Sequence, residues 1–256
     1  MQLLVYDGSF AGILCAVFDV FEYKFKEVRL VLANTQSGLL FGREHTVITD
    51  ETKAARVFTG LSKRISARAL TQLRLAYLSE QADIAGILVH YMQYAFTSPT
   101  SVETDFSHPA VLSVAQVARK VNREKHRMEA FIRFQLTTDQ IYYAVIEPDF
   151  NVLPVIANHF KERFADQDWL IYDARRKYGL HYNRQELTVA TITFEGPVQA
   201  KNSSAVYDAS ETLYQELWRR YFNKTNIEAR KNTRLHIRHM PLRYWKYLVE
   251  KQPVRS

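Results

Sequence analysis

Cysteine is almost absent: Cys15 stands alone among 256 residues. One thiol excludes an internal disulfide framework, a cysteine-cluster zinc site and an iron–sulfur cluster built by this chain alone. It suits a reducing cytoplasm, which is the expected location. Glycine and proline are few, eight and seven, so long flexible linkers are not expected. Long apolar runs are missing too. The longest stretch without Lys, Arg, Asp or Glu, residues 84–102, contains His90, Gln93, Ser98, Pro99 and Ser101, which is too polar for a membrane span. Met1-Gln2-Leu3 lacks a basic start and Asp7 interrupts the apolar opening, so no signal peptide is expected.

Catalytic signatures are also missing. The chain has no G-x-x-x-x-G-K-[ST] loop, no G-x-G-x-x-G, no H-E-x-x-H, no G-x-S-x-G and no H-x-E with P-C-x-x-C. These absences leave acid/base chemistry or binding, and no cofactor or metal is expected from the residues. His236 and His239 lie three apart but lack a nearby acid or cysteine to complete a ligand set.

What is present is basic charge near the C-terminus. Residues 219–256 hold eleven Lys/Arg against two acids, a local charge of +9, while the whole chain is only +7. Residues 1–218 therefore carry −2. Tyr221, Phe222, Tyr244, Trp245 and Tyr247 are interleaved with the cations. Cations neutralise phosphates and aromatic rings stack on unpaired bases, so a nucleic-acid contact is expected at Arg230, Lys231, Arg234, Arg238, Arg243, Tyr244 and Trp245. A second basic run, 119–127, is explained equally by the dipole at a helix end. Arg175 and Arg176 fall at a hairpin tip.

Periodicity gives an α+β protein. Leu3–Tyr6 reads as a strand, Asp7-Gly8 as a turn, and 10–26 as a helix capped by Ser9. Strands over 28–32 and 45–49 would complete a βαβ unit. Helices follow over 51–62, 67–79, 84–96 and 110–128, with Asp50, Ser66 and Asp83 as the first three caps. From residue 130 the period shortens to two. Strands 131–136 and 141–146 make one hairpin, and 169–172 and 178–182 a second. Helix 153–164 lies between them, and strand 187–194 follows. The expected sheet is antiparallel, two hairpins with a crossing helix, then a loop over 195–206 and a C-terminal helix from Asp208 to about 222 with a basic tail. The helix start pairs Asp208 with Glu211 in a capping-box-like pattern. One α+β domain over 1–256 is expected, divisible into a mainly helical 1–108 and a sheet-bearing 109–256.

Three side chains are candidate catalytic groups. His126 is one, because a histidine side chain can serve as a general acid or base. Asp7 follows a strand and precedes a helix, a place that holds either a catalytic carboxylate or a turn and cap. Arg133 sits in an apolar strand segment and needs a partner there, for which Glu129 or Asp149 serves.

Longer stretches carry a resemblance. They are Tyr6-Asp7-Gly8-Ser9-Phe10, the run from His126 to Phe134, and Pro154 with His159-Phe160 and the run from Arg163 to Trp169. Trp218 with Tyr221-Phe222, Ile227 and Arg230-Lys231-Asn232, and Met240-Pro241 with Arg243-Tyr244-Trp245, complete the set. Together they resemble a bacterial domain-of-unknown-function family assigned to DNA metabolism. Thr233 stands where that family's pattern has proline. A similar domain is fused elsewhere to a uracil-DNA-glycosylase-like domain, and members are encoded beside a radical S-adenosylmethionine (SAM) protein assigned to DNA modification or repair. The resemblance implies DNA and that radical SAM protein as partners. Three readings stay open: a nucleic-acid-binding accessory protein, a metal-independent enzyme acting on a damaged base or nucleotide, and a protein-only adaptor.

Overall fold

The computed structural model describes residues 1–33, 43–191, 208, 210–225 and 237–251, without the side chains of 212, 219 and 221–225. The expected loops at 34–43 and 195–206 lie wholly or almost wholly outside them, as do Arg230, Lys231, Arg234 and His236. The chain forms two compact units, Met1–Asn122 and Arg123–Ser256.

The first unit is built on a buried strand. β1 (Gln2–Tyr6) lies between β2 (Val28–Leu32) and β3 (Arg43–Thr46), parallel to both. Leu3 and Leu4 are fully buried there, as the centre of a parallel sheet requires. α1 (Phe10–Glu22) connects β1 to β2 and completes the βαβ unit expected from the sequence. Three helices follow: α2 (Glu51–Ser62), α3 (Ala67–Tyr77) and α4 (Ile84–Thr97). Ser9, Asp50 and Ser66 accept hydrogen bonds from Gly12, Lys53 and Ala69, so these three are true N-caps. Asp83 is not. It adopts φ 64°, and its side chain caps nothing.

α5 (Pro109–Phe131) crosses the boundary between the units and runs three residues past its expected end. It consumes the start of the expected strand 131–136, so β4 is only Gln135–Leu136. Phe134 turns instead into an aromatic core with Phe160, Phe164 and Trp169, at ring-centre distances of 5.3–6.3 Å. Trp169 and Ile171 are fully buried. Side chains of this size contribute about 1.5–3 kcal/mol each when removed from water.

β5 (Tyr142–Ile146), β6 (Trp169–Asp173), β7 (Tyr178–Tyr182) and β8 (Leu187–Ala190) complete a sheet in the order β4-β5-β6-β7-β8. The two hairpins are antiparallel as expected, but β5 and β6 run parallel. The reason is α6 (Leu153–Arg163), which leaves the end of β5 and returns the chain to the start of β6. α7 (Glu211–Thr225) and a 3-10 segment (Leu242–Tyr247) close the second unit. Glu211 does not complete a capping box. Its carboxylate accepts from the Leu136 N–H and from Gln215 Nε2, both at 3.0 Å. No helix among the described residues is long and apolar enough to cross a membrane.

Glycine serves one close approach. A Cβ on Gly12 would lie 2.3 Å from Asp7 Oδ1, whereas one on Gly86 would meet nothing within 4 Å. Gly12→Ala is expected to destabilise the protein by about 1–3 kcal/mol through overpacking. Gly86→Ala, inside α4, is expected to stabilise it by up to about 1 kcal/mol through helix propensity. Urea unfolding of both variants checks the opposite signs.

Candidate nucleic-acid interface

The basic C-terminal segment was the leading candidate, and its described cations are largely occupied. Arg243 Nη2 pairs with Glu124 at 2.9 Å and with Asp149 at 2.7 Å. Lys246 pairs with Glu147, which also accepts from Tyr247 Oη at 2.8 Å. Lys246 holds Glu147 below the usual carboxylate range, with Tyr247 adding to the effect. Arg220 pairs with Glu216 at 2.8 Å.

Tyr244 is 3% exposed, and its hydroxyl donates to Glu124 at 2.5 Å. Burial raises its pKa first, and the bond to Glu124 adds to the rise. A ring so enclosed offers no face to a base. Trp245 donates to the Met240 carbonyl at 3.1 Å and has Lys251 over its ring. Arg238 is exposed. It is the member of the predicted set whose charge lies open among the described residues.

The other expected arginines also bond within the protein. Arg176 pairs with the buried Asp173 at 2.9 Å and donates to the carbonyls of Pro148 and Asp149. Arg175 donates to the Asp149 carbonyl at 3.2 Å. Arg133 is not in a strand and meets neither Glu129 nor Asp149. Its Nη2 pairs with Glu250 at 3.0 Å, and its guanidinium stacks on Trp218 at 5.4 Å. The partner lies 117 residues along the chain, beyond the reach of local pattern.

Of the three candidate catalytic groups, the two in the second unit share no partner among the described residues. His126 is 86% exposed and lies 3.7 Å from Glu129, so it shares no partner with Arg133. Asp7 accepts from the Ser9 N–H (2.8 Å), Ser9 Oγ (2.7 Å) and Thr49 Oγ1 (2.9 Å). It therefore braces the turn and the α1 cap. The Ser9 hydroxyl is the main cause of its lowered pKa.

The uncommitted cations lie elsewhere. Residues 51–79 hold six Lys/Arg against one acid, a signal as local as that of the tail but without its aromatic density. Lys53 is spent on the buried Asp19 at 3.3 Å. Arg56, Lys63 and Arg64 form no ion pair among the described residues. They line a cavity of about 850 Å³ with Phe18, Phe21, Phe96 and one acid, Glu22. The geometry is set by stacking. The Arg56 guanidinium lies 5.7 Å from the centre of Phe18 and that of Arg64 5.4 Å from Phe96, contacts worth about 0.5–1 kcal/mol at exposed sites. Phe21 is 44% exposed beside them.

A second cavity of the first unit, about 500 Å³, is lined by Arg68, Arg119, Asn122 and Phe106. Arg119 and Lys120 sit well inside α5 rather than in its last turn, so the helix dipole does not account for them. Cations that form no ion pair can meet phosphates, and exposed rings between them can meet bases.

These features define an α+β protein whose first unit carries a ring-backed cationic groove. Residues 82–250 match the family described as Domain of unknown function (DUF4130), and the chain belongs to that family. No curated protein matches it. A solved structure, the pGpG-specific phosphodiesterase PggH from Vibrio cholerae, matches with 9% identity and a TM-score of 0.32, over 70% of this chain and 80% of that one. Similarity at that level fixes neither a shared fold nor a shared activity.

Two outcomes are expected. Tyr244→Phe, which removes the hydroxyl donor from buried Glu124, should cost about 1.5–3 kcal/mol in urea unfolding. Asp7 has a native pKa below its unfolded one, so its contribution is complete above the unfolded value. That contribution is lost as pH falls through the lowered native value. In acid titrations of stability, Asp7→Asn should flatten that limb.

Proposed function

We propose that this protein is a nucleic-acid-binding accessory protein of bacterial DNA modification or repair, working with a radical SAM enzyme. The observation that carries the binding part is the set of Arg56, Lys63 and Arg64, which line one cavity and form no ion pair among the described residues, Arg56 and Arg64 lying against phenylalanine rings and Glu22 being the one acid in the lining. Arg68 and Arg119 extend the cationic character of the first unit. In the second unit Arg238 is the exposed contributor. Arg230, Lys231 and Arg234, outside the described residues, remain part of the proposal on sequence grounds. DNA as the polymer and the radical SAM enzyme as the partner follow from the family resemblance.

Unpaired surface cations favour a phosphate polymer because each neutralised phosphate releases a condensed counterion. Cations already locked to carboxylates, such as Arg243 and Lys246, release none. Arginine suits this work because its planar group stacks on a ring while its edge still donates.

Fluorescence anisotropy of labelled DNA across a salt series tests the reading. Affinity should fall linearly on a log–log plot, with a slope of about −0.7 to −0.9 per phosphate contacted. Arg56→Glu with Arg64→Glu should weaken binding at least about tenfold and reduce the slope by about two. Arg243→Gln should leave the slope unchanged. Unaltered binding by the double variant would remove the groove from the interface.

A further inference from the structure

One stripe of α7 points outward. Leu213, Tyr214, Leu217 and Trp218 are 60%, 62%, 51% and 39% exposed, and their spacing places them on one side of the helix. Tyr214 and Trp218 line a cleft of about 380 Å³ together with Phe134, Leu136 and Tyr142. Four of these five side chains are aromatic, so the cleft suits something flat.

Its polar groups are few and differ in how they are used. Glu211 is spent, since both its oxygens accept from neighbours at 3.0 Å. Arg133 is not. Its Nη2 donates to Glu250 at 3.0 Å and its Nη1 to the carbonyls of Ala130 and Ile132. Its Nε–H, however, is buried with no partner among the described residues. Glu250, with a side chain only 1% exposed, likewise leaves its Oε2 unpartnered. One ion pair, whose arginine lines the cleft, thus carries a donor and an acceptor that are both removed from water and both unpaired among the described residues. Such groups destabilise a fold unless something completes them.

We propose that this cleft seats an unstacked nucleobase, with Tyr214 and Trp218 against its faces and the Arg133–Glu250 pair at its edge. Every nucleobase presents a hydrogen-bond acceptor beside a donor along its edge, which matches an ion pair that carries an Nε–H and a carboxylate oxygen. A phosphate or an acidic peptide fits less well, because Glu250 already neutralises the Arg133 charge. An aliphatic side chain would leave both polar atoms unpaired. A base within a duplex cannot present its faces, so the occupant must have left the stack. The inference rests on the nucleic-acid reading above and adds to it a site for an individual base.

The test uses the full chain and four labelled duplexes compared by anisotropy at one salt concentration. One carries a single bulged thymidine, one an abasic bulge, one a bulged difluorotoluene isostere, and one is fully paired. The bulged thymidine should bind about tenfold or more tighter than the abasic and paired duplexes, the scale of one base–aromatic stack. The isostere keeps the ring and lacks the polar edge, so it should bind several-fold more weakly than thymidine. Trp218→Leu and Tyr214→Ala alter exposed positions and should each bring the preference to within about twofold while the salt slope holds. Equal binding of all four duplexes, or preference retained in both variants, overturns the base site and leaves the phosphate interface standing. Equal binding of thymidine and isostere overturns the role given to Arg133 and Glu250. Absence of binding to every duplex overturns the nucleic-acid reading and this inference with it.

Discussion

A single buried carboxylate organises the second unit. Glu124, 2% exposed, accepts from Tyr244 Oη at 2.5 Å, Arg243 Nη2 at 2.9 Å and the Asp149 N–H at 3.0 Å, with Arg127 at 3.6 Å. A charge taken from water costs several kcal/mol unless such partners surround it. The partners come from the helix that bears Glu124, the turn after β5 and the C-terminal segment. Satisfying one acid therefore holds three remote stretches of chain together. The 3-10 segment is wound so that Arg243 and Tyr244 both reach it.

That requirement separates the protein's positive charges into two kinds. Those of the C-terminal segment that pair with Glu124, Asp149 and Glu147 are structural. Arg56 of α2 and Arg64 of the turn after it lie against rings and form no ion pair among the described residues. A count of charge does not distinguish the kinds, because pairing is decided by contacts far apart in sequence. Arg243 and Glu124 are 119 residues apart.

Much of the fold was legible for local reasons. The apolar run from Leu3 to Tyr6, the caps at Ser9, Asp50 and Ser66 and the turn at residues 137–140 depend on neighbours within a few positions. They appeared where periodicity placed them. The failures have non-local causes. The run 131–136 reads as a strand by composition, yet α5 continues through Phe131 and Phe134 joins the rings of Phe160, Phe164 and Trp169. Asp83 has the side chain of a cap but a left-handed backbone. The parallel step from β5 to β6 follows from the helix between them, a topological rule that local hairpin signals masked. In the interface, Tyr244 and Trp245 had the composition of a stacking platform, and Tyr244 became core. The cations at 56, 63 and 64 were visible as a local excess, but only packing against Phe18 and Phe96 makes them a groove.

The lone thiol has a practical consequence. Cys15 is fully buried and its sulfur lies 3.3 Å from both the N–H and the carbonyl of Asp50. A thiol reagent reaches it only when the contact between α1 and the start of α2 opens. Labelling kinetics on the unmodified chain would therefore report local opening of the first unit by itself, without interference from any other sulfhydryl and without a probe having to be introduced.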